Sequence, residues 1–406
     1  MRKATPATAT LDIAEHQTTD ILKAIFATAL EANYSVAFWQ LPGDNYQQVI
    51  IDRSAKPVKP KIDLENMGTG FLFAPFDHSK HSLFLNADVY YNTKKNVLRT
   101  NEIEASGNKI HRDIRALLRN NSADSTKKRY YQSVSIEHKG STEKGFRDIV
   151  KHSIEAIQNG HFHKVVPARK LIVDLSDNFH PIDTFLDLCR NYAHALVSMV
   201  SIPNVGTWLG ASPETLVSIS KDQLFTTAAL AGTQEQTGGT DHLEVAWRQK
   251  EIEEQAMVSR YIINCFKKIR LREFEEVGPM TVRAGNLWHL KTTYHVDMNA
   301  VNFPQLGTVM LDLLHPTSAV CGLPQKEARN FLSANEDFNR EYFSGYLGPV
   351  NVENASDVFV NLRCMQLLEK QAILYAGAGV TAHSDAAKEW AETNLKCQTM
   401  LKVLEK

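Results

Sequence analysis

The 406-residue sequence predicts a mixed α/β chain of the α+β type, with antiparallel β-structure covered by helices. Two observations predict it. Strand-like runs rich in β-branched and aromatic residues follow one another across short turns, as in "VSMVSIPNVGTWLGASPETLVSISKDQLFTTAALAG". There "IPNVG" and "SKDQ" carry the turn residues, and strands joined so closely pair antiparallel. Elsewhere apolar residues recur at spacings of three and four, the mark of amphipathic helices, without the regular strand–helix alternation of a parallel sheet.

In chain order, Leu11 to Ala32 reads as a helix, followed by the strand-like runs "YSVAFWQLP", "QQVIID" and "TGFLFAPF". From about 104 to 145 the composition turns polar, which predicts a short helix, a mobile loop and an internal boundary. Beyond it Phe146, Ile149, Val150, Ile154 and Ile157 mark an amphipathic helix that stops at Asn159-Gly160. That helix delivers the chain into "KVVPARKLIVDL", a strand with Lys164 at its head. Further helices are expected at about 182–197, 241–270, 303–314, 324–336 and 384–404, the last opened by Ser384 and Asp385 as capping residues. No internal repeat is present at the common periods.

Composition narrows the class of partner. With 43% hydrophobic and 22% charged residues the chain has the make-up of an ordinary globular protein. Its 45 basic and 46 acidic residues give a net charge of -1, so it has no field to recruit nucleic acid or an anionic membrane. A small molecule or another protein is the expected partner. The N-terminus lacks the apolar run of a signal peptide, and no window reaches the roughly 18 apolar residues of a membrane helix, so a cytoplasmic location is expected. Cys189, Cys265, Cys321, Cys364 and Cys397 are scattered and form no C-x-x-C pair, which points to reduced, mostly buried thiols.

Several residues stand out as chemically loaded. Lys164 is either a solvated charge at a strand end or a base held in a pocket. In "GASPETLVSI" Glu214 sits just ahead of an apolar strand, where burial would keep its carboxyl protonated, although a solvated turn glutamate has the same look. The small-residue run ending in Ala231, Gly232 and Thr233 lets backbone approach a ligand closely, or simply makes a tight turn. Lys250 and Glu254 stand four apart on one helix, the spacing of a surface ion pair. Glu389, Glu392 and Lys396 share one face of the last helix. Brought together with Glu254, the two carboxylates of that face make a hard oxygen site suited to magnesium. Arg363 lies inside the otherwise apolar "FVNLRCMQL" and needs an anion, either a structural glutamate or a bound carboxylate.

Taken in order, "HKVVPARK", "GASPETL", "ALAGT", "KEIEEQ", "LHPTSAVCG", "YFSGYLGPV", "NLRCMQL" and "YAGAGVTAHSDAAKEWAETNLK" resemble the chorismate-utilising enzymes, which include isochorismate, salicylate, anthranilate and aminodeoxychorismate synthases. The resemblance covers about residues 146 to 404. It implies large antiparallel sheets packed between helical layers, with residues 146–406 as the chorismate-binding catalytic region and residues 1–145 as a divergent part of the same fold. It also implies magnesium as cofactor, with Glu254 and Glu392 as ligands and Glu389 close by through water. Arg363, Lys396, Tyr375 and Gly377 match positions that hold the substrate's carboxylates and enolpyruvyl group. Ala319 and Val320 match the pocket wall, Phe343 falls in the "YFSGYLGPV" motif of the substrate site, and Ala231, Gly232 and Thr233 match the backbone cradle. The family's Lys-Asp-x-x-Glu-His motif here ends in Gln255 instead of histidine.

Two positions bear on the reaction. Members that use ammonia usually have glutamine in place of Lys164, and aminodeoxychorismate synthases commonly have a lysine nucleophile in place of Ala231. The resemblance therefore implies a water user, an isochorismate synthase, with no obligatory glutamine amidotransferase subunit. Lys164 is expected to activate water for attack at C2 of chorismate while Glu214 protonates the departing C4 hydroxyl. Salicylate synthase, which goes on to eliminate pyruvate, is the nearest alternative, and an anthranilate synthase component is more distant. Menaquinone and siderophore synthesis are both compatible with such a product.

Overall fold

The computed structural model describes residues 9–12, 16–54, 56–77, 79–100, 105–120, 130–133, 139–235, 245–284 and 287–405. The first hundred residues supply β1 (Ala9–Asp12), α1 (Thr18–Glu31), β2 (Ser35–Gln40), β3 (Gln48–Asp52), β4 (Gly70–Ala74), β5 (Leu83–Asn86), β6 (Val89–Asn92) and β7 (Val97–Thr100). Two helices, α2 (Ala105–Asn120) and α3 (Glu143–Gln158), precede β8 (Lys164–Val165) and β9 (Ala168–Asp174). Next, α4 (Pro181–Asn191) leads into β10 (Leu196–Ile202), β11 (Gly206–Ser212), β12 (Thr215–Ile219) and β13 (Leu224–Glu235). They are followed by α5 (Gln249–Lys268), β14 (Glu275–Ala284), β15 (Leu287–Asp297), α6 (Leu306–Leu314), β16 (Gly322–Leu323) and α7 (Gln325–Asn335). The chain closes with β17 (Tyr346–Val350), β18 (Ser356–Val360), β19 (Cys364–Leu367), β20 (Gln371–Gly377) and α8 (Ala386–Leu404).

These strands build a ten-stranded sheet in the order β1-β7-β6-β3-β2-β10-β11-β19-β20-β9 and an eight-stranded sheet in the order β14-β15-β13-β12-β18-β17-β4-β5. All of their pairings are antiparallel. The alternation of side chains along each strand shows how the layers stack. On β2, Val36 and Phe38 cluster with Ile25 and Phe26 of α1 and Phe185 of α4, whereas Ala37 and Trp39 cluster with Phe71 and Phe73 of β4. Leu72 and Ala74, on the other face of β4, join Val258, Tyr261 and Phe266 of α5 and Met310 of α6. The order of layers is thus helix, ten-stranded sheet, eight-stranded sheet, helix. Strands from before residue 100 lie in both sheets beside strands from the rest of the chain.

The expected large antiparallel sheets between helical layers are present, and several element boundaries differ from expectation. The helix expected over Leu11 to Ala32 begins only at Thr18, because residues from Ala9 to Asp12 pair with β7. The helix expected over 182–197 ends at Asn191, and Leu196 already belongs to a strand held between β2 and β11. The helix expected over 241–270 starts at Gln249, and residues 241–244 lie outside the described residues. In the polar stretch, α2 runs for 16 residues, and the expected loop falls largely on 121–129 and 134–138, outside the described residues. "KVVPARKLIVDL" is two strands: Pro167 has no N–H to donate, and the ladder changes partner from β16 to β20 across it. The last helix does open on Asp385, whose side chain accepts from Ala387 and Lys388 N–H. All five cysteines are free, buried thiols, and no helix among the described residues is long and apolar enough to cross a membrane.

Candidate active site

A cleft opens where the ends of β11, β13, β19 and β20 meet the first turns of α5 and the middle of α8. Its walls include Glu214, Ala231, Gly232, Glu254, Ala319, Val320, Phe343, Arg363, Tyr375, Gly377, Glu392 and Lys396. Residues dispersed over 180 positions of sequence, and read separately as turn glutamate, backbone cradle, pocket wall and arginine, are therefore brought to one place. Thr233 follows on β13, but its side chain lies outside the described residues.

Lys164 is fully buried and does not line the cleft; it stands behind Glu254 and donates to its Oε1 at 2.8 Å. The pairing follows from two local structures. Lys164 and Val165 form a two-stranded ladder with Leu323 and Gly322, while Val165 also exchanges backbone bonds with Val380. Glu254 projects from α5 toward the strand end after β20. Gly379 makes room for the pair, since a Cβ there would fall 2.7 Å from Glu254 Oε1 and 3.1 Å from Lys164 Cε. Burial pushes the Glu254 carboxyl up, yet the Lys164 ammonium and its hydrogen bond, with Lys396 and Lys250, outweigh it and hold the group below the usual carboxylate range.

Glu214 is a different kind of carboxyl. Only 5% exposed, it is pushed up to about 7 by burial, against the pull of the Thr317 hydroxyl, Lys164, Lys396 and Arg363. Thr317 Oγ1 donates to its Oε1 at 3.2 Å. The Glu214 carbonyl is fixed by Val360 N–H, so the turn after β11 is tied to β18. Such a carboxyl holds a proton near neutral pH and can deliver it.

Arg363 adopts a left-handed backbone, φ 48°, at the start of β19. Burial brings its guanidinium down to about 10, with Glu392 opposing. Neither a structural glutamate nor any other described carboxylate forms an ion pair with it, which favours the second of its two readings, a bound carboxylate. Lys396 is anchored beside it by Glu392 Oε1 and the Gly377 carbonyl, both at 2.8 Å. Tyr375 is committed on its far side: its hydroxyl donates to Gln366 Oε1 at 2.8 Å, and its ring stacks between Phe343 and Trp208.

The three carboxylates expected to hold magnesium each carry a lysine. Glu254 has Lys164, Glu392 has Lys396, and Glu389, which is 1% exposed, has Lys250 at 2.6 Å. Lys250 therefore reaches across to α8 and does not pair with Glu254 on its own helix. No three of the described His, Cys, Asp and Glu side chains are gathered closely enough to hold a metal. The donor chemistry nevertheless fits magnesium: the set offers hard carboxylate oxygens, Lys250 feels the charge of all three, and Glu389 Oε2 is buried without a hydrogen-bond partner among the described residues.

Three positions of the site, His289, Arg340 and Gly379, escaped the sequence reading, and Gln255 was noted there only as a departure from the family motif. His289 on β15 lines the cleft; its Nδ1 meets the Gly232 carbonyl at 2.6 Å, so Nδ1 carries the proton, and its Nε2 has no partner among the described residues. Burial, with Arg363 and Lys396, lowers it to about 3, so the ring is neutral. A histidine in a strand that also carries Lys291, Thr292, Thr293 and His295 has no signal that sets it apart. Arg340 lines the cleft and bonds the carbonyls of Val320 and Val166 at 2.8 and 2.6 Å while paired with Glu336, so it ties the pocket wall to the strand end beyond Lys164. Gln255 donates to Thr292 Oγ1 at 2.9 Å and to the Ala229 carbonyl at 3.3 Å, which fastens α5 to β13 and β15 beside Glu254. Gly379 was visible only as a glycine in "AGAGV".

The family model described as chorismate binding enzyme matches residues 77–405. The isochorismate synthase EntC of Escherichia coli K12 is 30% identical over 267 residues, 64% of this chain and 66% of the relative. The isochorismate synthase DhbC of Bacillus subtilis is 27% identical over 271 residues, 64% of this chain and 67% of the relative. The match thus spans about two thirds of these relatives' length. Among solved structures, the menaquinone-specific isochorismate synthase MenF of Escherichia coli superposes with a TM-score of 0.73 at 20% identity, covering 99% of this chain and 95% of that one. Anthranilate synthase component I of Streptococcus pneumoniae superposes with a TM-score of 0.63 at 18% identity, covering 98% and 93%. At such identities the likeness is one of fold.

Proposed function

Because the chain belongs to the chorismate-binding enzymes, we propose that it interconverts chorismate and isochorismate. The observation that carries the reading is Glu214, a buried carboxyl poised at about 7 in the same cleft as Arg363 and as Glu254, which Lys164 backs from behind. The named activity of the bacterial relatives supports it, as does Lys164 in the place where ammonia users carry glutamine.

In this reading Arg363 and Lys396 hold the substrate's carboxylates, and the backbone of Ala231, Gly232 and Thr233 cradles the other end. Lys164, released from Glu254, accepts a proton from water as the water oxygen bonds to C2 of the ring. The ring double bonds shift, the C4–O bond breaks, and Glu214 gives its proton to the departing hydroxyl, which leaves as water. One water enters and one leaves, so substrate and product are isomers and the reaction runs both ways. Glu254 and Glu392 would hold magnesium, with Glu389 nearby through water. A divalent cation held there would supply positive charge that steadies charge developing on the substrate.

The test is product analysis by chromatography after incubation with chorismate, with magnesium or with a chelator. Isochorismate that accumulates without pyruvate, and only with magnesium, is the expected result. Salicylate with equimolar pyruvate would move the assignment to salicylate synthase. No consumption of chorismate would overturn it.

A further inference from the structure

Lys250 has no part in the reaction just described, yet it holds one of the most buried carboxylates of the site. It lies in the first turn of α5, and its ammonium crosses to Glu389 Oε1 on α8, 2.6 Å away. Glu389 is 1% exposed, and its Oε2 has no hydrogen-bond partner among the described residues. One oxygen of this carboxylate is therefore satisfied by a lysine, and the Ser384 hydroxyl nearby also favours its charged form. The charges that face Lys250 come from both helices: Glu389 and Glu392 from α8, Glu254 from α5. One ammonium among three carboxylates does electrostatically what a divalent cation does.

We propose that Lys250 is a resident counter-cation of the carboxylate cluster, a latch that competes with a divalent metal ion and must leave Glu389 for the metal to be held. The proposal rests on the reading of these carboxylates as a magnesium site. It assigns Lys250 a role in setting metal affinity, separate from substrate binding. The latch also joins the first turn of α5 to the first turn of α8, so its release loosens the two helices that carry the carboxylates.

The experiment is a titration of the full chain, without chorismate, with manganese(II) as the probe, free manganese being read by electron paramagnetic resonance. Lys250→Met is expected to bind manganese on the order of ten-fold more tightly than the parent chain, since the competitor is gone. Lys250→Arg, which keeps the cation within reach of Glu389, is expected to stay within about two-fold of the parent. Lys388→Met, an exposed lysine in the same turn of α8 as Glu389, is expected to change the affinity by less than about two-fold. Unchanged or weaker binding by Lys250→Met, while the parent still binds, would overturn the latch alone. An equal gain in Lys388→Met would also overturn it, because any lost positive charge would then suffice. Absence of manganese binding in all four chains would refute the metal reading, and the latch with it. Urea unfolding of each variant checks that the chains compared are folded.

Discussion

Replacing Glu214 by glutamine should remove a pH dependence of stability whose size follows from burial. The carboxyl titrates at about 7 in the folded chain against an ordinary 4.5. Below the ordinary value both folded and unfolded states hold the proton, and Glu214 costs nothing in either. As pH rises from there, the unfolded chain ionises while the folded chain keeps its proton in the cleft, so stability is lost with pH until the folded carboxyl ionises too. The loss levels off above about 7, at roughly 3 kcal/mol from 1.36 kcal/mol per pKa unit. Glutamine is neutral, similar in shape, and keeps an acceptor for the Thr317 hydroxyl. Urea unfolding of parent and Glu214→Gln at about pH 5 and about pH 8 should show the variant gaining on the parent by about 2 to 3 kcal/mol over that interval. Turnover of the parent should fall as pH rises past about 7, where the proton donor is lost, and the variant should be inactive. Superimposable stability curves for the two proteins would refute the assignment of Glu214 as a buried, protonated acid.

Three further substitutions probe the rest of the cleft. Lys164→Gln should lower water addition to chorismate by about 10² to 10⁴ while chorismate affinity, measured by calorimetry, stays within a few-fold; parent-like turnover would show that Lys164 only pairs with Glu254. Arg363→Gln should raise the KM for chorismate by roughly ten- to a hundred-fold, the worth of about 1.5 to 3 kcal/mol for a charged hydrogen-bond donor, and an unchanged KM would remove it from the carboxylate site. Gly379→Ala puts a Cβ 2.7 Å from Glu254 Oε1 and should cut kcat by about ten-fold or more with little change in urea midpoint, because it displaces the Lys164–Glu254 pair and leaves the sheets alone. Full activity in that variant would mean that the pair has other room.

The sequence made the site more legible than the fold around it. Glu214 and Arg363 stood out as charges set against apolar strands, whereas Glu254, Glu392 and Lys396 stood out through helical spacing and took their expected roles from the resemblance. Their convergence in one cleft is a property of the tertiary structure, which eight ordered motifs anticipated through resemblance. His289 and Arg340 were missed because each stands among other polar residues, Arg340 in "NEDFNREYF" and His289 in "LWHLKTTYHVD", so nothing local sets it apart. Lys250 was assigned to the wrong partner, since the helical spacing to Glu254 is real but a carboxylate buried on another helix competes better. Element boundaries suffered where strands are covered on both faces: "SVAFWQ" is buried at all six positions, so its alternation carries no polar signal.

That double covering has a consequence for how the sequence can drift. In β2, β10 and β11 every side chain is buried, odd positions toward one layer and even positions toward the other. A systematic substitution scan across these strands should therefore show unbroken blocks of intolerance with no two-residue rhythm, while α3, whose outer face is solvated, tolerates change at a period of three to four. Variation is therefore expected on the outer faces of its helices and in its loops, with the two middle layers tolerating mainly volume-conserving exchange.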